Sequence, residues 1–232
     1  MKYMGSKSRI AKYILPIILK DRKEGQCYVE PFVGGANMID KVDGWRIGSD
    51  VDSDCIDCLT IIRDKINTLP RCNNEFHESF YKDRCKTIPW LRPYAAYAFS
   101  FGGKKWGGFR RDKNGVRDYI AEAYRNSKKQ SPKLRGISLI NSSYSDLEIP
   151  PKSIIYCDPP YANTTKYKDD FDHELFWQWC RDKVSEGHKV FISEYNAPDD
   201  FVCVWQKEIQ SGLNTNTTKK GVEKLFVHES QL

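Results

Sequence analysis

Ile154-Ile155-Tyr156-Cys157-Asp158-Pro159-Pro160-Tyr161 is the stretch from which the fold of this chain can be read. An apolar run ending in an acid and two prolines reads as a buried strand with an abrupt carboxyl end, because neither proline has an N–H to continue the ladder. The Asp158 carboxylate, the Pro159 carbonyl and the Tyr161 ring are thereby fixed at the rim of a sheet. Open α/β folds receive their ligands at that rim. Two acceptors beside an aromatic plate suit a flat base that carries an amino group. A rigid surface turn would use the same four residues, so the reading depends on what else the chain supplies.

Working outward, residues 26–32 and 45–51 read as strands that run into acids. Residues 137–141, 153–157 and 189–194 read as further strands, and 201–209 with 223–228 as a terminal antiparallel hairpin. Helices are expected over 6–20, with Ser6 as cap and Pro16 forcing a kink or early stop. Others are expected after Gly34-Gly35-Ala36-Asn37, over 55–63 and over 176–184. Strands alternating with helices give an α/β fold built on a mostly parallel sheet.

The pattern breaks between residues 66 and 135, where apolar positions become aromatic and Gly, Lys and Arg accumulate. Within this stretch, Phe101-Gly102-Gly103-Lys104-Lys105-Trp106-Gly107-Gly108-Phe109-Arg110-Arg111 reads as a glycine-bounded loop or hairpin. Val116, Tyr119, Ile120, Ala123 and Tyr124 then follow at helical spacing. The expected organisation is one sheet domain, residues 1–65 and 136–232, interrupted by a small, mostly helical insertion at 66–135.

With 232 residues, 40% of them hydrophobic, the chain can bury one sizeable core. No run approaches the ~18 apolar residues of a membrane span, and the first residues lack the apolar stretch of a secretory signal. A soluble cytoplasmic protein with reduced thiols is expected from these features and its eight cysteines. Cys55 and Cys58 form a Cys-x-x-Cys with Cys72, Cys85 and His77 nearby. The second pair is too loosely spaced for a zinc site, and the first falls in a helix, so no metal is expected.

The formal net charge is +6, yet residues 101–135 carry eleven Lys and Arg against three acids, a local +8 that leaves −2 elsewhere. A near-neutral body with one basic segment points to a polyanionic partner, nucleic acid above all. Lys104, Lys105, Arg110 and Arg111 are the candidate contacts. The arginines suit bidentate reading of guanine and the lysines suit phosphates.

Val29-Glu30-Pro31-Phe32-Val33-Gly34-Gly35-Ala36-Asn37 joins a strand to a glycine turn that lets backbone approach a ligand closely. The spacing is not that of a dinucleotide fingerprint, and an acid at Glu30 would repel a pyrophosphate. It suits an amine-bearing cofactor better. Asp50 stands 20 residues on, where an acid accepts hydrogen bonds from ribose hydroxyls.

Taken together, these residues resemble the Dam-like (D12 class) DNA adenine-N6 methyltransferases, a family with phage-encoded members. Lys2-Tyr3-Met4-Gly5-Ser6-Lys7 matches the family's N-terminal cofactor segment, with Tyr3 and Lys7 at contact positions. Glu30-Pro31-Phe32-Val33-Gly34-Gly35 matches its methionine-site loop, Asp50 its ribose acid, Tyr144-Ser145-Asp146 the segment near the cofactor's adenine, and Asp158-Pro159-Pro160-Tyr161 its catalytic tetrapeptide. Thr165, Tyr167 and Phe171 are similar to the loop that follows the tetrapeptide. The resemblance implies the Rossmann-like seven-stranded mixed sheet of S-adenosylmethionine-dependent methyltransferases. It also implies S-adenosylmethionine as cofactor and duplex DNA as partner.

Its catalytic set is Asp158, Pro159, Pro160 and Tyr161, and its cofactor set is Tyr3, Lys7, Glu30, Phe32, Gly34, Asp50, Tyr144, Asp146 and Asp158. Asp158 and the Pro159 carbonyl would accept hydrogen bonds from adenine N6, and Tyr161 would stack on the base once it is flipped out of the duplex. Two departures stand out. Ala36 occupies a position where the family usually has glycine. The insertion also lacks the Arg-x-Asn…Gly-x-Phe-Asn-x-Pro-Phe-Gly pattern of GATC-reading members, so GATC is not implied. RNA adenine-N6 and cytosine-N4 methylation, or a catalytically silent DNA-binding relic, are the alternatives. Cytosine-N4 enzymes more often begin the tetrapeptide with serine, and glutamine methylation goes with Asn-Pro-Pro-Tyr.

Overall fold

The computed structural model describes residues 1–70, 74–112, 114–161, 171–210 and 220–232. Seven strands make a single mixed sheet: β1 (Tyr28–Glu30), β2 (Arg46–Asp50), β3 (Ile137–Asn141), β4 (Ile154–Cys157), β5 (Lys189–Glu194), β6 (Phe201–Gln210) and β7 (Lys220–His228), in the order β3-β2-β1-β4-β5-β7-β6. The first five run parallel, and β7 enters antiparallel between β5 and β6. This is the Rossmann-like mixed sheet that the resemblance implies, with the terminal hairpin where the sequence puts it.

Successive strand residues point to opposite faces. Tyr28, Ile154 and Tyr156 join the core that also holds α1 (Ala11–Ile18), α2 (Ser53–Asp64), α4 (Arg92–Ala98) and α5 (Tyr119–Leu134). Val29, Ile155 and Cys157 join the opposite core with Phe176, Trp177 and Cys180 of α6 (His173–Ser185). Burial on both faces is why the Ile-Ile-Tyr-Cys run shows no polar alternation. Cys157 is thus a core residue, its thiol pushed well up by burial and then by the neighbouring Cys180.

Aspartates cap three of the helices. Asp52 accepts from the Asp54 N–H, Asp118 from Ile120 and Ala121, and Asp172 from Leu175. Such caps contribute about 1 kcal/mol each. Ser6 instead caps a 3-10 turn at Lys7–Arg9 that precedes α1. Pro16 lies inside α1, which ends two residues later.

One expectation needs correction. The helix anticipated after Gly34-Gly35-Ala36-Asn37 is reduced to a 3-10 turn at Ile39–Lys41. Gly34 (φ +46°) and Ala36 (φ +54°) both adopt left-handed backbone, which turns the chain and prevents a helix from propagating. Ala36 thus adopts backbone that a glycine would reach with less strain. The insertion, which also contains α3 (Asn74–Lys82), packs against the sheet domain. Phe80, Leu91, Tyr94, Ile120 and Leu134 share one apolar cluster with α1 and α2. Gln130 of α5 donates to the carbonyls of Gly35 and Ala36 and to Asp40.

Candidate active site

The carboxyl edge of the sheet carries an acid at the end of four parallel strands: Glu30 on β1, Asp50 on β2, Glu194 on β5 and, one residue past β4, Asp158. The strand order reverses between β1 and β4, which opens a crevice between Glu30 and Asp158.

Around Asp158 the structure gathers residues far apart in sequence. Lys7 Nζ lies 3.1 Å from Asp158 Oδ1 and 3.5 Å from Glu223 Oε2, and 4.4 Å from the centre of the Tyr161 ring. The Tyr161 hydroxyl donates to Glu223 Oε2 at 2.9 Å, and Tyr195 meets the ring edge-on with centroids 4.6 Å apart. Asp158 Oδ1 is enclosed, and among the described residues Lys7 faces it as an ion pair without hydrogen-bond alignment. Burial pushes the Asp158 carboxyl above the usual carboxylate range against the pull of Lys7. Burial also opposes the charge on Lys7, but Asp158 and then Glu223 outweigh it and hold the ammonium above its usual range. A carboxylate whose Oδ1 is held against a fixed cation, and whose side chain stays partly exposed beside a clamped aromatic ring, can offer its other oxygen to an N–H donor presented along that ring.

Sequence reasoning placed Lys7 with the cofactor; the structure places it beside Asp158 and Tyr161. Glu223 and Tyr195 were missed. Glu223 lies two residues before the buried Leu225 on β7 and so shares its face, a weak signal in a strand with several polar residues.

Across the crevice, Glu30 is only 3% exposed and accepts from the Tyr28 hydroxyl at 2.9 Å. Burial raises its carboxyl well above the ordinary value. Asp50 accepts from the Gly34 N–H on one oxygen and from the Asp52 N–H on the other, each at 3.0 Å. Each oxygen keeps a second lone pair for a ligand hydroxyl. Burial raises this carboxyl, and the two backbone donors offset part of the rise.

Tyr3 lies directly on the Gly34-Gly35 turn and stacks on Tyr97 at 5.7 Å. A Cβ on Gly35 would come within 2.5 Å of the Tyr3 Cβ, so this close approach requires glycine. Phe32 and Tyr144 pack against each other at 5.4 Å, with Phe171 and Phe176 completing an aromatic cluster. Asp146, by contrast, is exposed and turns back to accept from Ser143. Thr165 and Tyr167 lie outside the described residues, as does Cys72.

The insertion's basic residues separate. Arg110 is 5% exposed, paired with Glu122 at 3.1 Å and seated over the Tyr119 ring. It faces inward, away from the position that reading bases would require. Arg111 is exposed and forms a two-pronged pair with Glu78. Lys105 bridges Asp52 at 2.6 Å and Asp54 at 2.9 Å, with the Tyr97 hydroxyl and Arg92 completing the cluster. This ties Lys105 to the turn after Asp50 instead of leaving it free for phosphate. Lys104 is half-buried beside Gly107. Gly103 (φ +70°) sits so close to Lys2 that a Cβ would meet its carbonyl oxygen at 2.4 Å. The glycine loop is therefore keyed into the N-terminal segment.

Residues 3–87 match the family model described as D12 class N6 adenine-specific DNA methyltransferase. The matched span takes in Tyr3, Lys7, the Glu30–Gly35 turn and Asp50; the Asp158 tetrapeptide lies beyond it. A sequence search of curated proteins gives no match. Among solved structures, the chain is similar to a delta-N METTL16 MTase domain (TM-score 0.47, 8% identity, 97% of this chain and 84% of that one). It is also similar to the human methyltransferase 10 domain containing protein (TM-score 0.35, 8% identity, 95% and 80%). A third is SMU.472, solved in complex with SAH (TM-score 0.36, 9% identity, 96% and 53%).

Proposed function

We propose that this chain, whose residues 3–87 carry the signature of the D12-class enzymes, transfers a methyl group from S-adenosylmethionine to N6 of an adenine flipped out of duplex DNA. The observation that carries the reading is the Asp158–Lys7–Tyr161–Glu223 cluster facing Glu30 across the crevice.

The residues on the cofactor side fit an amine-bearing sulfonium nucleoside. Glu30 is a buried acid with a neutral hydroxyl donor on it, which favours a cationic amine. Asp50 has lone pairs left for ribose hydroxyls, and Phe32 with Tyr144 supplies aromatic surface for a purine. When bound, the cofactor supplies the electrophilic methyl.

The remaining work falls to the chain's own groups. Adenine N6 is a poor nucleophile because its lone pair is delocalised into the ring. Asp158 and the Pro159 carbonyl, accepting its two hydrogens, draw the amine toward tetrahedral geometry and stabilise the charge that grows on nitrogen. Lys7 fixes the Asp158 carboxylate, and Glu223 fixes the hydroxyl end of Tyr161. Stacking on Tyr161, worth about 1–3 kcal/mol, offsets much of the few kcal/mol needed to extrude the base. No strong base is required, since the methylated amine sheds its proton afterwards.

The test is transfer of labelled methyl to unmethylated duplex DNA, single-stranded DNA and RNA, with the product nucleoside identified. N6-methyladenine in the duplex is expected. Label confined to RNA, or found on cytosine, would replace this reading with one of the alternatives, and no transfer despite cofactor binding would favour the relic.

Lys105 is assigned to the cofactor side of this machinery. It neutralises Asp52 and Asp54 next to Asp50, and its removal leaves uncompensated acids beside the ribose site. Lys105→Ala is expected to weaken S-adenosylmethionine binding about three- to tenfold, or roughly 0.7–1.4 kcal/mol. The salt dependence of DNA binding should stay unchanged. Unaltered cofactor affinity with a shallower salt dependence would return Lys105 to the DNA.

A further inference from the structure

Among the described residues outside the insertion, a cluster of cations and aromatic rings adjoins the active site, and no step above uses it. Tyr13 of α1 stacks on Trp205 of β6 with centroids 6.2 Å apart. Lys207 Nζ stands 3.6 Å and Lys12 Nζ 4.9 Å from the centre of the Tyr13 ring. Both lysines and Tyr13 are exposed, and Trp205 is half-buried. Among the described residues, both ammonium groups face the ring and neither is paired with a carboxylate.

Its position in the fold gives the cluster its meaning. Lys207 is the cross-strand partner of Glu223, and Glu223 holds Lys7 and Tyr161. Directly opposed residues have Cβ atoms about 5 Å apart on the same face, so the cluster begins one side chain away from the tetrapeptide. Lys12 follows Lys7 in the same N-terminal segment. The glycine loop of the insertion, keyed to Lys2 and Asp52, lies toward β2, whereas β6 is the opposite margin of the sheet. Asp158, at the end of β4, therefore lies between the insertion on one side and this cluster on the other.

We propose that Lys12, Tyr13, Trp205 and Lys207 form a second DNA-contact surface, on the β6 side of the site. There the two ammonium groups take backbone phosphates flanking the extruded base, and the aromatic pair lies against the strand. The inference rests on the DNA reading above and adds the flank on which the duplex is held. Phosphate neutralisation is the expected use of exposed lysines that no described carboxylate meets at ion-pair distance, and aromatic rings among cations are the usual platform for nucleic-acid strands.

The test is the slope of log affinity against log salt for a labelled unmethylated duplex, measured for the wild-type chain, Lys12→Gln/Lys207→Gln and Lys12→Arg/Lys207→Arg. The glutamine pair is expected to lower the slope by about one to two. The arginine pair should restore it, and S-adenosylmethionine affinity should be the same in all three. A wild-type slope retained by the glutamine pair would overturn the proposal while leaving the DNA reading intact. A slope lowered equally by both pairs would also overturn it, because loss of local packing would then account for the effect. A wild-type chain that binds RNA and no duplex would overturn both.

Discussion

Asp158→Ala is expected to lower the rate of methyl transfer at least 10²–10³-fold while moving S-adenosylmethionine affinity by no more than a few fold. Loss of one preorganised group aimed at developing charge costs this much where water is excluded, and Asp158 supplies one of only two proposed acceptors for N6. The variant is not expected to collapse the site. Lys7 would keep Glu223 at 3.5 Å, and Tyr161 would keep its hydroxyl bond to the same carboxylate. The buried cation is therefore not orphaned. Asp158→Asn, which retains one acceptor oxygen and loses the charge, should fall between wild type and alanine. Single-turnover transfer measured beside a cofactor titration separates the roles: a loss confined to cofactor affinity would move Asp158 from the chemistry to the cofactor's side.

The strands were legible because their signal is local. A parallel strand covered on both faces must be apolar throughout, and Ile154–Cys157 is. The acids at strand ends were legible for the same reason, since they stand where an apolar run stops. Contacts set by register were not. Glu223 reaches Tyr161 only because β7 inserts between β5 and β6, a pairing that no short window of sequence encodes. The basic segment misled in an instructive way. Its excess charge is real, but Lys105 and Arg111 take their partners, Asp52, Asp54 and Glu78, from outside the segment. Arg110 is drawn inward by Glu122, one of the segment's few acids. Local charge assigns those cations to solvent, whereas the fold pairs them, Lys105 with acids at the start of α2 and the two arginines within the insertion. The cations of Lys12 and Lys207, scattered in sequence, are brought onto one ring by the fold.

Glu30→Gln is expected to stabilise the cofactor-free protein and to cripple it. Glu30 is buried, and its carboxyl sits well above the ordinary value of about 4.5, so the folded chain holds that proton at pH values where the unfolded chain has released it. In that window the folded state binds more protons, and stability falls as pH rises from the unfolded pKa toward the folded one. Glutamine keeps the shape and an oxygen for the Tyr28 hydroxyl, so the fall should disappear. Each kcal/mol recovered would raise the melting temperature by about 2–4 °C. The cost appears on binding. A charge-assisted hydrogen bond to a cationic amine contributes about 1.5–3 kcal/mol, so the variant should bind S-adenosylmethionine roughly ten- to hundredfold more weakly. Wild-type affinity should rise with pH as Glu30 loses its proton, and the variant should lack that dependence. Melting curves and cofactor titrations at several pH values, for both proteins, decide the matter. A variant that melts no higher at neutral pH, or that keeps the wild-type rise of affinity with pH, would mean that Glu30 is a structural acid and that the cofactor's amine is held elsewhere.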